Sequence, residues 1–415
     1  MPVKTGVLIL HGLTGVPSEM RPVEKALQKL GYDTETPTLA GHGASNDDML
    51  NSTWQQWIES GQQGFDRLAA RVDQIVVCGL SMGGSISCIL AGRSDKVAGL
   101  IMLSPTLQYD SPELDAKPHL RIFKIKWIRD LLHVVVALFP IIGKKVYWTE
   151  TPPYGLKDER LQRQITKAIE AARRGEETKF GLFRTYWISM WQMNYITDSF
   201  KKSAPAVKCP TVIISSLEDT LVSINNATDT YSMLGTHNKC LTMLTGCDHV
   251  LTLDLKRNYV SSLVCEFMEA ITGVSSQPVA NTDMDLSIEI HNQLNPLSNN
   301  DWAQLVPGAP DLGMLVERLQ KENVHEHQCH TMVVRHKNVP ALMVPLIIDR
   351  TAGTARFAFA AENWGTSPQQ SVEPLLLQKT WQQVERARDA MIKSFGVKNT
   401  DFFVVDASAK RLAHA

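Results

Sequence analysis

The sequence predicts a doubly wound α/β fold, a mostly parallel sheet covered by helices on both faces with a helical lid inserted, followed by a smaller α+β domain. Three observations carry this. Short apolar runs such as Val7-Leu8-Ile9-Leu10 recur between longer stretches of helical spacing over residues 1–272, and continuous apolar strands separated by helices belong to a parallel sheet buried on both faces. The rhythm lapses between about residues 105 and 205, where no strand pattern stands out and Trp, Phe and Met recur at helical spacing. Finally, the polar, aperiodic stretch 273–284, GVSSQPVANTDM, reads as a linker, and beyond it strands come in runs before a long helix.

Taken in order, Val7–Leu10 ends at the glycine loop His11-Gly12-Leu13-Thr14-Gly15. Ser18 is placed as the cap of a helix that carries Met20, Val23, Ala26, Leu27 and Leu30 at helical spacing. A helix around Trp54 to Ala70 precedes the strand Gln74–Cys78, and a turn around Ser81 leads into a helix over Ser85–Gly92 and the strand Val97–Leu103. The lid's Trp127, Leu138, Phe139, Trp148, Phe183, Trp187, Met190 and Trp191 have the character of core residues or of a wall facing an acyl chain. Thr211–Ser215 and Leu241–Leu244 are further strands, each followed by a helical pattern. In the C-terminal domain, 285–415, Met332–Val334, Leu342–Ile348, Ala355–Ala361 and Phe402–Val405 read as strands, Thr351-Ala352-Gly353 as a hairpin turn, and Val372 to Phe395 as an amphipathic helix.

At 415 residues the chain is longer than one ordinary domain. Its formal net charge of -1 gives no electrostatic reason to expect nucleic acid or an anionic membrane as partner. The start, MPVKTGVLILHG, lacks the long apolar region of a signal peptide, and the apolar stretch Leu131–Ile142 is too short to span a bilayer. Seven scattered cysteines without a C-x-x-C pair read as buried, reduced thiols. The cytoplasm is the expected location, and no integral membrane segment is expected.

The chemistry centres on Cys78-Gly79-Leu80-Ser81-Met82-Gly83-Gly84 behind a buried strand. A serine hydroxyl is a poor nucleophile until a base takes its proton and donors stabilise the resulting oxyanion. A strand-to-helix elbow pushes the hydroxyl out of the turn, and Gly79 and Gly83 allow strand and helix to approach closely. His249, in the loop after Leu241–Leu244, supplies a base, and Asp219, after Thr211–Ser215, supplies the acid that orients it. Glu218 and Asp248 compete for the acid's place, though Asp248 adjoins His249 and has to fold back on it. All three leading residues lie beyond the carboxyl ends of strands, on one edge of a parallel sheet. The glycine-flanked loop offers the Leu13 amide as oxyanion donor beside that of Met82. A general-base histidine implies activity that falls below about pH 6 to 7.

His11-Gly12-Leu13-Thr14-Gly15, Gly79-Leu80-Ser81-Met82-Gly83-Gly84, Leu217-Glu218-Asp219, the run Cys247 to Asp254 and Gly41-His42-Gly43 resemble the carboxylesterase and monoacylglycerol-lipase branch of the α/β-hydrolases over residues 4 to 272. The resemblance implies a serine hydrolase of carboxylic, lipid-like esters with Ser81, Asp219 and His249 as triad, Leu13 and Met82 as oxyanion donors, a small ester or acyl substrate, and no cofactor. The fold also hosts thioesterases and acyltransferases, so transfer of an acyl group from CoA or a carrier, aided by the second domain, is the alternative.

Two further motifs carry less. His325, His327, Cys329 and His330 lack the second ligand cluster of a zinc site, and they read as a solvated strand end. Arg350-Thr351-Ala352-Gly353-Thr354-Ala355 resembles the acyl-CoA loop of N-acetyltransferases, but a strand pattern follows it in place of the required helix. No metal site is expected.

Overall fold

Strand β1 (Thr5–Leu10) is buried at every position, as an uninterrupted apolar run requires when helices cover both faces. The computed structural model describes residues 3–43, 45–111, 131, 134–136, 138–174, 181–273, 286–292, 329–336, 339–349, 354–357, 383, 386–391, 393–395 and 398–401. The chain forms two compact units, one comprising Met1–Thr236 and Gly246–Ala280, the other His237–Thr245 and Asn281–Ala415.

In the first unit, β1 lies between β2 (Asp33–Glu35) and β3 (Gln74–Leu80), followed by β4 (Val97–Leu103) and β7 (Thr211–Ser216), all parallel. Helix α1 (Arg21–Lys29) packs with α9 (Arg257–Thr272), and α3 (Trp54–Ala69) with α4 (Met82–Ala91). The start of α3 is set by a capping box: the Gln56 amide donates to Thr53 Oγ1, and the Thr53 amide to Gln56 Oε1. Short α2 (Asn46–Asn51) begins with the same device on Ser45 and Asp48.

Two helix starts differ from expectation. Ser18 caps nothing; it lies in a 3-10 turn, Pro17–Met20, and α1 begins at Arg21 with no side-chain cap. Pro17 and Pro22 occupy the first positions of their helices, where a missing N–H costs little. Helix α4 starts at Met82 and not at Ser85. The glycine pair weakens the helical signal in sequence, but every residue of α4 is buried, and packing overrides propensity.

Between β4 and β7 the chain forms α5 (Pro140–Lys145), β5 (Tyr147–Thr149), α6 (Glu159–Arg173), β6 (Arg184–Tyr186) and α7 (Trp187–Ser203). The insertion is therefore not free of strands: β5 and β6 form an antiparallel pair with Trp148 opposite Thr185. Three-residue strands are too short to show an alternating pattern. Leu138 and Phe139, expected in a core or in a wall facing an acyl chain, are exposed at 68% and 59%, and Trp127 lies outside the described residues. Helix α8 (Asn225–Met233) follows β7.

The second unit begins with β8 (Lys239–Leu244), which pairs antiparallel with β9 (Leu286–His291), Cys240 opposite His291. Continuing outward, β10 (Cys329–His336), β11 (Val339–Asp349) and β12 (Thr354–Phe357) are antiparallel, and β13 (Lys398–Asp401) runs parallel to β12. Asp349 stands opposite Thr354. The strand expected over Phe402–Val405, the turn Thr351–Gly353 and most of the helix from Val372 lie outside the described residues. His325 and His327 do too, but His330 corrects the expectation of a solvated strand end: it is buried, with its ring 4.9 Å from that of Phe395.

Cys78, Cys88 and Cys247 are buried and free, whereas Cys209, Cys240 and Cys265, expected to be buried, are half-buried. Among the described residues, no helix is long and apolar enough to cross a membrane.

Candidate active site

Ser81 closes β3 and opens α4 at φ 55°, ψ -119°, a left-handed conformation that costs a non-glycine residue about 1–3 kcal/mol. The packing that enforces it is visible in its glycine neighbours. A Cβ on Gly79 would overlap the Gly83 backbone, and one on Gly83 would come within 2.5 Å of the His11 carbonyl oxygen. Crossing strand and helix thus leave no room for side chains on either side of the serine, and its hydroxyl is turned outward.

His249 Nε2 lies 3.0 Å from Ser81 Oγ, and His249 Nδ1 lies 2.7 Å from Asp219 Oδ2. The carboxylate only accepts, so Nδ1 carries the proton and Nε2 faces the serine as acceptor. Asp219 is itself held by the Leu221 and Val222 amides, which donate to Oδ1 at 2.8 and 2.9 Å. The two competing carboxylates are turned elsewhere. Glu218 pairs with Lys157 and accepts from the Gly246 amide, while Asp248 accepts from the Thr220 amide and hydroxyl and from the His249 amide.

All three side chains are nearly sealed from water. Burial disfavours the imidazolium of His249, but the charge and hydrogen bond of Asp219, with the charges of Asp248 and Glu19, outweigh it and hold this histidine above its ordinary pKa. Burial raises Asp248, against the hydrogen bond from the Thr220 amide.

The loop after β1 is braced from both sides. His11 Nε2 accepts from the Leu39 amide at 3.1 Å, so Nδ1 donates to the Gly12 carbonyl at 2.9 Å. Burial first, and the neighbouring His42 second, push His11 down to about 3, so it stays neutral in this role. The Gly15 amide donates to the Gly12 carbonyl, and Thr14, at φ 61°, accepts from the Leu182 amide of the insertion. Neither the Leu13 nor the Met82 amide has an acceptor among the described residues.

Asp254 joins the insertion to the histidine loop. Its Oδ1 accepts from the Lys157 and Asp158 amides, both at 2.9 Å, and its Oδ2 from the Asp248 amide. The histidine is thereby placed by the root of the insertion as well as by its own loop. The resulting cavity, of about 320 Å³, opens over Ser81 and His249 and is walled by Leu13, Trp148, Phe183 and Met190 among others. Of the aromatic and methionine residues singled out in the insertion, Trp148, Phe183 and Met190 reach it, and Trp187 packs behind Met190.

Sequence reasoning missed two residues. Thr106 Oγ1 stands 3.0 Å from Ser81 Oγ and 3.3 Å from the Ser104 carbonyl oxygen, and once Ser81 donates to His249, the one Thr106 hydroxyl proton has those two acceptors. Its signal was positional, since it follows the carboxyl end of β4 as the other site residues follow their strands. Glu19 lines the same cavity; nothing in its local sequence marks it.

The family model described as serine aminopeptidase, S33, matches residues 1–256. The chain is 25% identical over 269 residues to a thermostable monoacylglycerol lipase of Bacillus sp. (strain H-257), covering 65% of this chain and 92% of that protein. It is 22% identical over 266 residues to a carboxylesterase of Bacillus subtilis (strain 168), covering 64% and 92%. Among solved structures, one from work on LipS and LipT, two metagenome-derived lipolytic enzymes, has a TM-score of 0.51 at 25% identity, covering 65% of this chain and 95% of that one. A soluble variant of the Saccharomyces cerevisiae monoglyceride lipase shares the fold at a TM-score of 0.50 and 15% identity, covering 65% and 88%. By the family model's span, and in keeping with this fold, the chain belongs to the serine aminopeptidase S33 family and is an α/β-hydrolase enzyme.

Proposed function

We propose that this enzyme cleaves carboxylic, lipid-like esters through an acyl-enzyme on Ser81. The observation that carries the reading is the unbroken proton path Ser81–His249–Asp219, at 3.0 and 2.7 Å, on the floor of a largely apolar cavity. Ser81 Oγ attacks the ester carbonyl as His249 Nε2 takes its proton, and the Leu13 and Met82 amides receive the developing oxyanion. Collapse breaks the bond to the alcohol oxygen, which leaves with the proton from His249. Water then attacks the acyl-enzyme, gives a proton to His249, and the acid departs as Ser81 regains its own. The relatives that act as lipases and esterases support an acyl chain in the cavity, where Leu156, Leu182, Phe183 and Met190 supply apolar wall.

Incubation with a fluorophosphonate probe tests this directly: a covalent adduct on the peptide containing Ser81, with turnover of a short 4-nitrophenyl ester, is the expected result. An unlabelled protein without ester turnover contradicts the reading.

The acid limb of kcat/KM gives a second check. Only neutral His249 accepts the serine proton, and its pKa is held above the ordinary 6.5. Activity is therefore full above the raised pKa and falls as pH drops through it, so the midpoint is expected above pH 6.5. A profile flat down to pH 5 removes His249 as base.

A further inference from the structure

One carboxyl in the cavity wall, Glu19, acts on the proposed chemistry only through its charge on His249. Glu19 sits in the 3-10 turn ahead of α1 and folds back over Gly15, so closely that a Cβ there would stand 2.9 Å from its Oε1. It thus stands against the turn that carries the Leu13 amide, and it lines the same cavity as Ser81 and His249. Glu150 is the other acidic residue of that wall, and the described lining contains no lysine or arginine. A cavity wall that carries carboxylates, and no lysine or arginine among its described lining, has a definite electrostatic preference among substrates.

We propose that Glu19 is a specificity-determining residue that turns away esters whose acyl part bears a negative charge, confining the enzyme to uncharged acyl groups. The inference rests on the ester-hydrolase reading. Like charges within a cavity shielded from water repel far more than they do in solution. Burial also pushes Glu19 up to about 7, against a hydrogen bond from the Val16 backbone and the pull of His249, so its charge appears within an ordinary assay range. An anionic acyl group then enters only when Glu19 takes up a proton. Relative to an uncharged ester, its entry becomes at most tenfold harder for each pH unit above that value.

The other titratable groups around the cavity are His249 with Asp219 behind it, Glu150, Tyr109 and Tyr154. His249 must be neutral for both kinds of ester and cancels from their ratio. Tyr109 is raised by burial and stays uncharged, and the Tyr154 hydroxyl is engaged with Thr166. Glu150, which accepts from the Thr185 hydroxyl, is the group the variant below must be distinguished from.

The experiment measures kcat/KM for 4-nitrophenyl heptanoate and for mono-4-nitrophenyl adipate, similar in length but ending in a methyl and a carboxylate, from pH 6 to 9. In the wild type the ratio of uncharged to anionic ester is expected to climb roughly tenfold per pH unit above about pH 7, and in Glu19→Gln to lose that climb. A ratio independent of pH in the wild type overturns the proposal even if the variant does not fold, and an unchanged climb in Glu19→Gln overturns it in favour of Glu150. Absence of turnover of both esters strikes instead at the ester-hydrolase reading.

Discussion

Asp219→Asn is expected to lower kcat about 10⁴-fold with the fold intact. The loss comes from a proton in the wrong place. In the wild type Asp219 Oδ1 is occupied by two backbone amides and Oδ2 receives the His249 Nδ1 proton. In the variant the amide oxygen keeps the backbone donors, so the NH₂ group faces His249 Nδ1 and donates to it. The ring then carries its proton on Nε2, where it opposes the Ser81 hydroxyl and accepts nothing. Initial rates on a short ester, with circular dichroism to verify folding, test the expectation. Glu218→Gln and Asp248→Asn are expected to cost far less, because Glu218 faces Lys157, and Asp248 faces Thr220 and the His249 backbone amide, not the ring Nδ1. A comparable loss in Asp248→Asn, with Asp219→Asn active, overturns the assignment.

A larger effect is expected from Ser81→Ala and His249→Ala, each lowering kcat by roughly 10⁶, with the double variant no worse than either alone. On the proposed mechanism the two side chains act as one unit: without Oγ there is no attacking atom, and without Nε2, 3.0 Å away, there is no base to take its proton. Residual turnover above the rate in water is expected from the Leu13 and Met82 amides, which neither substitution removes. Additive losses in the double variant would show that serine and histidine act independently, contrary to the proton path.

The candidate residues Ser81, His249 and Asp219 could be singled out in the sequence because each lies just past an apolar strand, and such runs are the clearest signal a parallel sheet leaves. The glycines around Ser81 had a readable steric reason as well. Glu19 and Thr106 were not legible: one reaches the cavity by folding over a neighbouring turn, the other through a hydroxyl contact 25 residues away in sequence, and neither depends on a local pattern. Strand β9 was missed although Leu286, Ile288 and Ile290 alternate with Ser287 and Glu289. Its period of two is that of an antiparallel strand, and it follows directly on a stretch read as linker. The β5–β6 pair escaped because three residues are too few to display a period.

The allotment of residues 237–245 to the second unit has a consequence for anyone who would shorten this enzyme. The polypeptide leaves the first unit after Thr236, lays down β8 against β9, and returns at Gly246, just ahead of His249. The two units are interleaved along the chain, so no single stop codon separates them. Ending translation after residue 280 strips β8 of its β9 neighbour and leaves one bare strand edge leading into the loop that bears the imidazole. Such a truncation is a lesion of the histidine loop, and only a redesign that re-covers that edge tests what the second unit contributes by itself.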